Sequence, residues 1–192
     1  QGVASTGQFE FVITSDYASE IAENNAANNA ESNNSSRITA VSGPDLQVRN
    51  LSVVQESLEA GQLVTITWED WNTGAVATPA GFNDRIVVTN LSLQKQLLNA
   101  VLAYDPAHPG AGAIGAGDFR ARSFSFRLPE GVNGAGDIEI RVITDQSANG
   151  VGSLFETNQT GNAESNNSAL VQASSAAKPY ADLQVVGITA PS

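Results

Sequence analysis

Asp45, Asp70, Asp145, Glu156 and Glu164 are the side chains whose type could do chemistry here, and that chemistry is the binding of a hard cation. Ca²⁺ takes about six to eight oxygen ligands from carboxylates, amides and carbonyls. The stretch from Asp145 to the Asn166-Asn167 pair adds Asn, Gly and more Glu. In a two-sheet β-sandwich, the start of the first strand, the end of the second and the loop between the sixth and seventh share one pole, so these residues can meet despite their separation in sequence. An ion there would tie a loop to a linker and stiffen a string of modules. Acidic and Asn residues are equally ordinary loop residues, which bond to their own backbone and tolerate left-handed geometry. No EF-hand spacing occurs, nor a glycine-rich nonapeptide of the calcium-binding β-helix kind. Asp70 stands apart, because the alternation of Val64, Ile66 and Trp68 points it inward, where a carboxylate needs a cation or several donors.

Other chemistries find little support. His108 is the single histidine, so one chain cannot build a His-based metal site, and nothing places a serine in a strained turn beside it. Gly110 to Gly115 satisfies GxGxxG but follows Pro109 and leads into a strand, which reads as a flexible turn rather than a nucleotide loop. Trp68 and Trp71, three apart on a strand, face opposite sides and cannot form one sugar-stacking platform without a bulge. Trp68 belongs in the core, and Trp71 is the aromatic open to a ligand or neighbour. The sequons at Asn90-Leu91-Ser92 and Asn158-Gln159-Thr160 carry meaning only in a eukaryotic secretory pathway. The expectation is a protein that is not an enzyme.

Nine Lys and Arg against 20 Asp and Glu give a net charge of −11, which argues against nucleic acid and anionic lipid, since those demand clustered cations. Acidity also keeps a secreted protein soluble. No apolar run approaches the roughly 20 residues that span a bilayer, so membrane insertion is not expected. With no Cys there is no disulfide, and the absence of Met fits an internal segment of a larger precursor.

The elements that must hold these residues are strands. Short segments with period-two alternation or turn-bounded apolar content occur at Leu46–Val54, around Val64–Trp68, and at Phe82–Asn90, Ala100–Tyr104, Ser123–Leu128, Ile138–Thr144 and Ala169–Ala173. Asn72-Thr73-Gly74 and Pro129-Glu130-Gly131 mark turns. Seven strands predict an all-β fold, an immunoglobulin-like seven-stranded β-sandwich. Leu91–Leu102 is ambiguous, because Leu93, Leu97 and Leu98 also stripe a short helix.

The chain also copies itself. Asn29-Ala30-Glu31-Ser32-Asn33-Asn34-Ser35 recurs letter for letter at Asn162–Ser168, a spacing of 133, and Asp45-Leu46-Gln47-Val48 recurs at Asp182–Val185, a spacing of 137. Gly7–Phe11 matches Gly136–Ile140 at 129, and Val12-Ile13-Thr14 matches Val142-Ile143-Thr144 at 130. Such drift belongs to loop insertions between tandem repeats. Residues 1–42 therefore read as the end of one module, 44–178 as a complete one, and 181–192 as the first strand of a third.

Pro44-Asp45-Leu46, Ile66-Thr67-Trp68-Glu69-Asp70-Trp71-Asn72-Thr73-Gly74, Leu128-Pro129-Glu130-Gly131, and the closing set Asp145, Glu156, Glu164 and Asn166-Asn167 together resemble CARDB domains. These are the cell-adhesion-related, immunoglobulin-like repeats of large bacterial and archaeal surface proteins. The resemblance implies an extracellular spacer repeat in an adhesin or filament, with neighbouring copies as partners in the same chain or another. The Asp145–Asn167 loop is longer than the family pattern, which leaves its role open. The alternatives are a module that binds a surface carbohydrate or protein, and a fibre subunit in which Asp182–Thr189 completes, by strand addition, the sandwich begun by Phe9–Thr14 and Arg37–Val41 of a neighbouring chain.

Overall fold

The computed structural model describes residues 6–22, 34–179 and 184–187. Ten strands follow one another: β1 (Gly7–Thr14), β2 (Ser35–Ser42), β3 (Leu46–Val53), β4 (Leu58–Glu59), β5 (Leu63–Asn72), β6 (Phe82–Asn90), β7 (Lys95–Tyr104), β8 (Phe119–Arg127), β9 (Gly136–Ile143) and β10 (Ser168–Ala176). The fold is all-β. From β3 onward they form two sheets, β3-β5-β8 and β4-β10-β9-β6-β7. All seven expected strands are present, but the module holds eight: the two-residue β4 pairs in parallel with the end of β10 and is too short to announce itself by periodicity. The helical reading of Leu91–Leu102 is corrected, for Leu91–Gln94 turn and β7 then pairs with β6, interrupted by one bulge at Leu97.

Alternation builds the layers. β5 and β6 bury every second residue, the period that presents one face of a strand to a core. Val48, Val64, Ile66, Trp68 and Phe126 from the smaller sheet meet Ile86, Val88, Ile138, Ile140 and Val142 from the larger. A second cluster, Leu46, Phe82, Tyr104, Ile114 and Leu154, closes one pole with apolar residues from two long loops. The chain enters the module at this pole, where Leu46 lies opposite Asn72 and Ser168 opposite Ile143. β3 and β10 both run away from it, and the chain leaves at the far pole, where Ala176 lies beside Glu59.

β1 and β2 form a hairpin that pairs only with itself among the described residues. Its register reproduces that of β9 and β10: Gly7 faces Ser42 as Gly136 faces Ser175, and Phe11 faces Ile38 as Ile140 faces Val171. Pairing continues unbroken to Thr14 opposite Ser35, matching Ile143 opposite Ser168. Ile13, not Val12, is therefore the counterpart of Val142. The counterparts differ in surroundings: Ile140 and Val142 are fully buried, whereas Phe11 and Ile13 are 53% and 73% exposed. Most of the first heptad, Asn29–Asn33, and most of the segment 181–192, including Asp182 and Leu183, lie outside the described residues; Gln184–Gly187 form no strand.

This contrast yields a test. Ile140→Ala removes fully buried carbons and should cost about 2–5 kcal/mol in urea unfolding, whereas Phe11→Ala at the matched position should stay within about 0.5 kcal/mol.

Candidate functional site

Two buried polar clusters stand out, one at the entry pole and one between the sheets. Asn72 ends β5 at the entry pole and is fully buried. Its Oδ1 accepts from Asp45 N (3.1 Å) and Gly74 N (3.0 Å), and its Nδ2 donates to the carbonyls of Val76 (2.8 Å) and Ile114 (2.9 Å). One amide thus pins the start of β3 and two loops, satisfying backbone groups that no ladder partner reaches.

The long loop closes over this anchor. Asp145, in the left-handed region at φ 47°, turns its carboxylate onto Ser153 N, Ser153 Oγ and Leu154 N at 2.7–3.1 Å. The Asp45 carboxylate accepts from Thr73 Oγ1 (2.8 Å), Asn158 Nδ2 (3.2 Å) and Asn166 Nδ2 (2.9 Å). Glu156 takes Leu46 N (3.2 Å) on one oxygen and Asn167 Nδ2 (2.8 Å) on the other, and Glu164 accepts Glu156 N (2.8 Å). The identical heptad is thus the loop's gripping segment: Asn166 holds Asp45, Asn167 holds Glu156, Glu164 holds the Glu156 amide, and Ala163 is buried beneath them. Asp45-Leu46, which opens the other duplicated motif, is what it grips.

Burial pushes the Glu156 carboxyl up to about 8, and the charges of Asp145 and Glu164 add to the rise, against the lowering by Asn167 and by the Leu46 amide. Glu156 is therefore largely neutral at pH 7. Asn167 Oδ1 is buried with no donor.

The second cluster joins the sheets. Asp70 on β5 and Asp84 on β6 are both fully buried, and Arg122 on β8 reaches between them, its Nε 3.3 Å from Asp70 Oδ2 and 2.9 Å from Asp84 Oδ2. Trp68 Nε1 donates to Asp70 Oδ1 (2.9 Å). Arg122 Nη2 donates to the carbonyls of Leu102 (3.2 Å) and Ala103 (3.0 Å) on β7, and the guanidinium lies 5.1 Å from the Tyr104 ring centre. β7 and β8 are the terminal strands of their sheets, so this one side chain staples the two edges. Burial, then the neighbouring Asp84 charge, drives Asp70 well above the carboxylate range, while Arg122 and Trp68 pull it down. Burial likewise raises Asp84, to about 6, against the pull of Arg122. Two acids facing one guanidinium keep a proton that solvated acids would lose.

Of the five expected ligands, Asp45, Asp145, Glu156 and Glu164 therefore gather at the entry pole, and Asp70 sits apart in the inter-sheet cluster, pointing inward as its alternation requires. Among the described residues no three His, Cys, Asp or Glu side chains form a group able to hold a metal ion. Asp45, Asp145 and Glu156 aim both oxygens at N–H or O–H donors. Those donors present positive dipole ends along the directions a cation would use, so this set fits Ca²⁺ poorly. Asn72, Asp84 and Arg122 escaped the sequence reading. Asp84 was signalled by Phe82, Ile86 and Val88, which share its phase on β6; nothing in the sequence marks Arg122 as its partner.

Trp71 does face outward, stacked on Phe119 (centroids 4.8 Å apart) with the Arg49 guanidinium 5.1 Å from its ring centre. Its indole donates to Glu69 Oε2 (2.7 Å). Ile114, from the GxGxxG stretch, is fully buried and plugs the entry pole, while His108 is exposed. Asn90 is also fully buried, its Nδ2 donating to the carbonyls of Asn133 and Ala135, so that sequon is no surface acceptor.

No family model and no curated protein matches the chain. Among solved structures it is similar to the CARDB domain of a Pyrococcus furiosus protein crystallised in complex with di-metal ions, at 16% identity and a TM-score of 0.47, over 72% of this chain and 99% of that one. The solution structure of that domain gives 17% identity and a TM-score of 0.45, over 72% and 100%. β-Glucosidase 3B of Thermotoga neapolitana, in complex with α-D-glucose, gives 15% identity and a TM-score of 0.42, over 68% of this chain and 16% of that enzyme. These likenesses concern the fold, and the ligands named belong to those proteins.

The clusters generate two predictions. A carboxyl raised on folding loses its proton first in the unfolded chain, so its contribution to stability is full below its unfolded value and is lost as pH rises through its folded one. The melting temperature of the native chain should therefore fall relative to that of Glu156→Gln as pH rises from about 4.5 to 8, with the two equal at the acid end. Arg122→Met leaves two buried acids without their cation and should cost about 3–5 kcal/mol at pH 7 in urea unfolding, less at pH 4 where both acids are neutral.

Proposed function

We propose that this chain is a spacer: a run of immunoglobulin-like modules from a long extracellular adhesin or filament, whose task is reach rather than turnover. The observation that carries this reading is the path of the chain, which enters the module at one pole through β3 and leaves at the opposite pole through β10. Modules joined that way add length, about 30 Å for each nine-residue strand. The tandem organisation is supported by the hairpin that repeats the register of β9 and β10, with its neighbours the adjoining copies of the same repeat.

Binding a carbohydrate at Trp71 is disfavoured by the contacts its ring already makes, stacked on Phe119 and with the Arg49 guanidinium over it. Assembly between chains is the second reading, in which a neighbouring chain would cover the face of the hairpin where Phe11, Ile13 and Ile38 lie together. No helix among the described residues is long and apolar enough to cross a membrane.

In this reading, small-angle scattering of chains carrying one, two and three complete modules should show the maximum dimension growing by roughly 30–40 Å per module. Calorimetric titration with surface glycans should give no heat. A dimension that saturates, or heat on glycan addition, would favour a binding module instead.

A further inference from the structure

The linker between β2 and β3 is three residues long and belongs to the module that follows it. Gly43 and Pro44 are buried. Gly43 O accepts Ala75 N (2.8 Å), Pro44 O accepts Thr157 N (3.0 Å), and Asp45 O accepts Thr73 N (2.7 Å). The seat is also tight: a Cβ on Gly43 would lie 2.3 Å from Thr157 Cγ2, and one on Gly74 would lie 2.3 Å from the Gly43 carbonyl oxygen. Both strands of the grip, the linker with Asp45-Leu46 and the loop with its heptad, bear the duplicated letters.

We propose that the heptad and its loop form a metal-independent clasp that grips the incoming linker and fixes the joint between one module and the next. The inference deepens the spacer reading, on which it rests for the existence of a preceding module. Tension arriving from that module reaches Gly43 first, and the groups that meet it are Ala75, Thr157, Thr73, Asn158, Asn166 and Glu156. These bonds lie across the chain's path of entry, so all of them must open before β3 can peel from β5. The donors already facing the Asp45 and Glu156 oxygens do the work that an ion would otherwise do.

Amide hydrogen exchange on the full 192-residue chain tests the clasp. Asn166→Asp sets a second carboxylate against Asp45 at the same size. It should speed exchange at Leu46, Thr73, Ala75 and Thr157 at least tenfold, while leaving the amides of Ile86 and Ile140 at their native rates. Asn158→Ala removes one donor to Asp45 together with the bonds that the same amide makes to Thr160 and Asn162, and without adding a charge it should also speed these four amides, which keeps the test open if the first variant unfolds. Adding calcium or a chelator to the native chain should change none of these rates. Native rates at the four amides in both variants would overturn the clasp, and so would tenfold slowing by calcium. Glycan heat in calorimetry would sink the spacer reading while leaving the exchange pattern untouched.

Discussion

A strand that begins inside a protein starts with peptide groups that no ladder partner can reach, and meeting those groups is the constraint around which the entry pole is built. Leaving a buried N–H or carbonyl unpaired costs roughly 1–3 kcal/mol, and between Gly43 and Leu46 five such groups find partners outside the strand ladder. Asn72, Thr73 and Ala75 meet three of them from the end of β5 and the turn that follows it, and Glu156 and Thr157 of the long loop meet the other two. The apolar plug of Leu46, Ile114 and Leu154 seals the same pole, so the polar grip works in the dry surroundings where hydrogen bonds count most. Order in the loop is thus a consequence of what the first strand needs.

The inter-sheet cluster answers a different problem. Terminal strands β7 and β8 face each other across the open side of the sandwich with no ladder between them. Arg122 spans that gap, and its long side chain lets one cation serve two acids and two carbonyls. Arginine suits the place because its planar fork directs several donors at once and keeps its charge when buried. The arrangement holds an excess of acid over base in a dry interior, which is why the pair retains a proton.

Much of this was legible in the residues. Alternation placed Trp68 and Asp70 inside, turn residues bounded the strands, and the twin heptads marked a segment of importance. Their partner was visible too, in the repeated Asp-Leu, but nothing in a linear sequence says that two duplicated motifs touch. The acidic residues suggested an ion because composition records oxygen and is silent about the N–H groups aimed at it. β4 escaped because two residues carry no period, and Leu91–Leu102 misled because leucines at helical spacing also fit a strand whose outer face is half-covered. Asp84 was readable by phase alone; its partnership with Arg122 depends on which strands end up at the edges.

The spacing of the motifs has a consequence for shape. From the last residue of the first heptad to Asp45 is ten residues, whereas from the last residue of the second to Asp182 is fourteen. Four added residues give a tether about 13 Å more slack when extended. Were both heptads to hold an Asp-Leu pair in the same way, the two spans would differ in reach by that length, and successive junctions along the chain would not be equivalent.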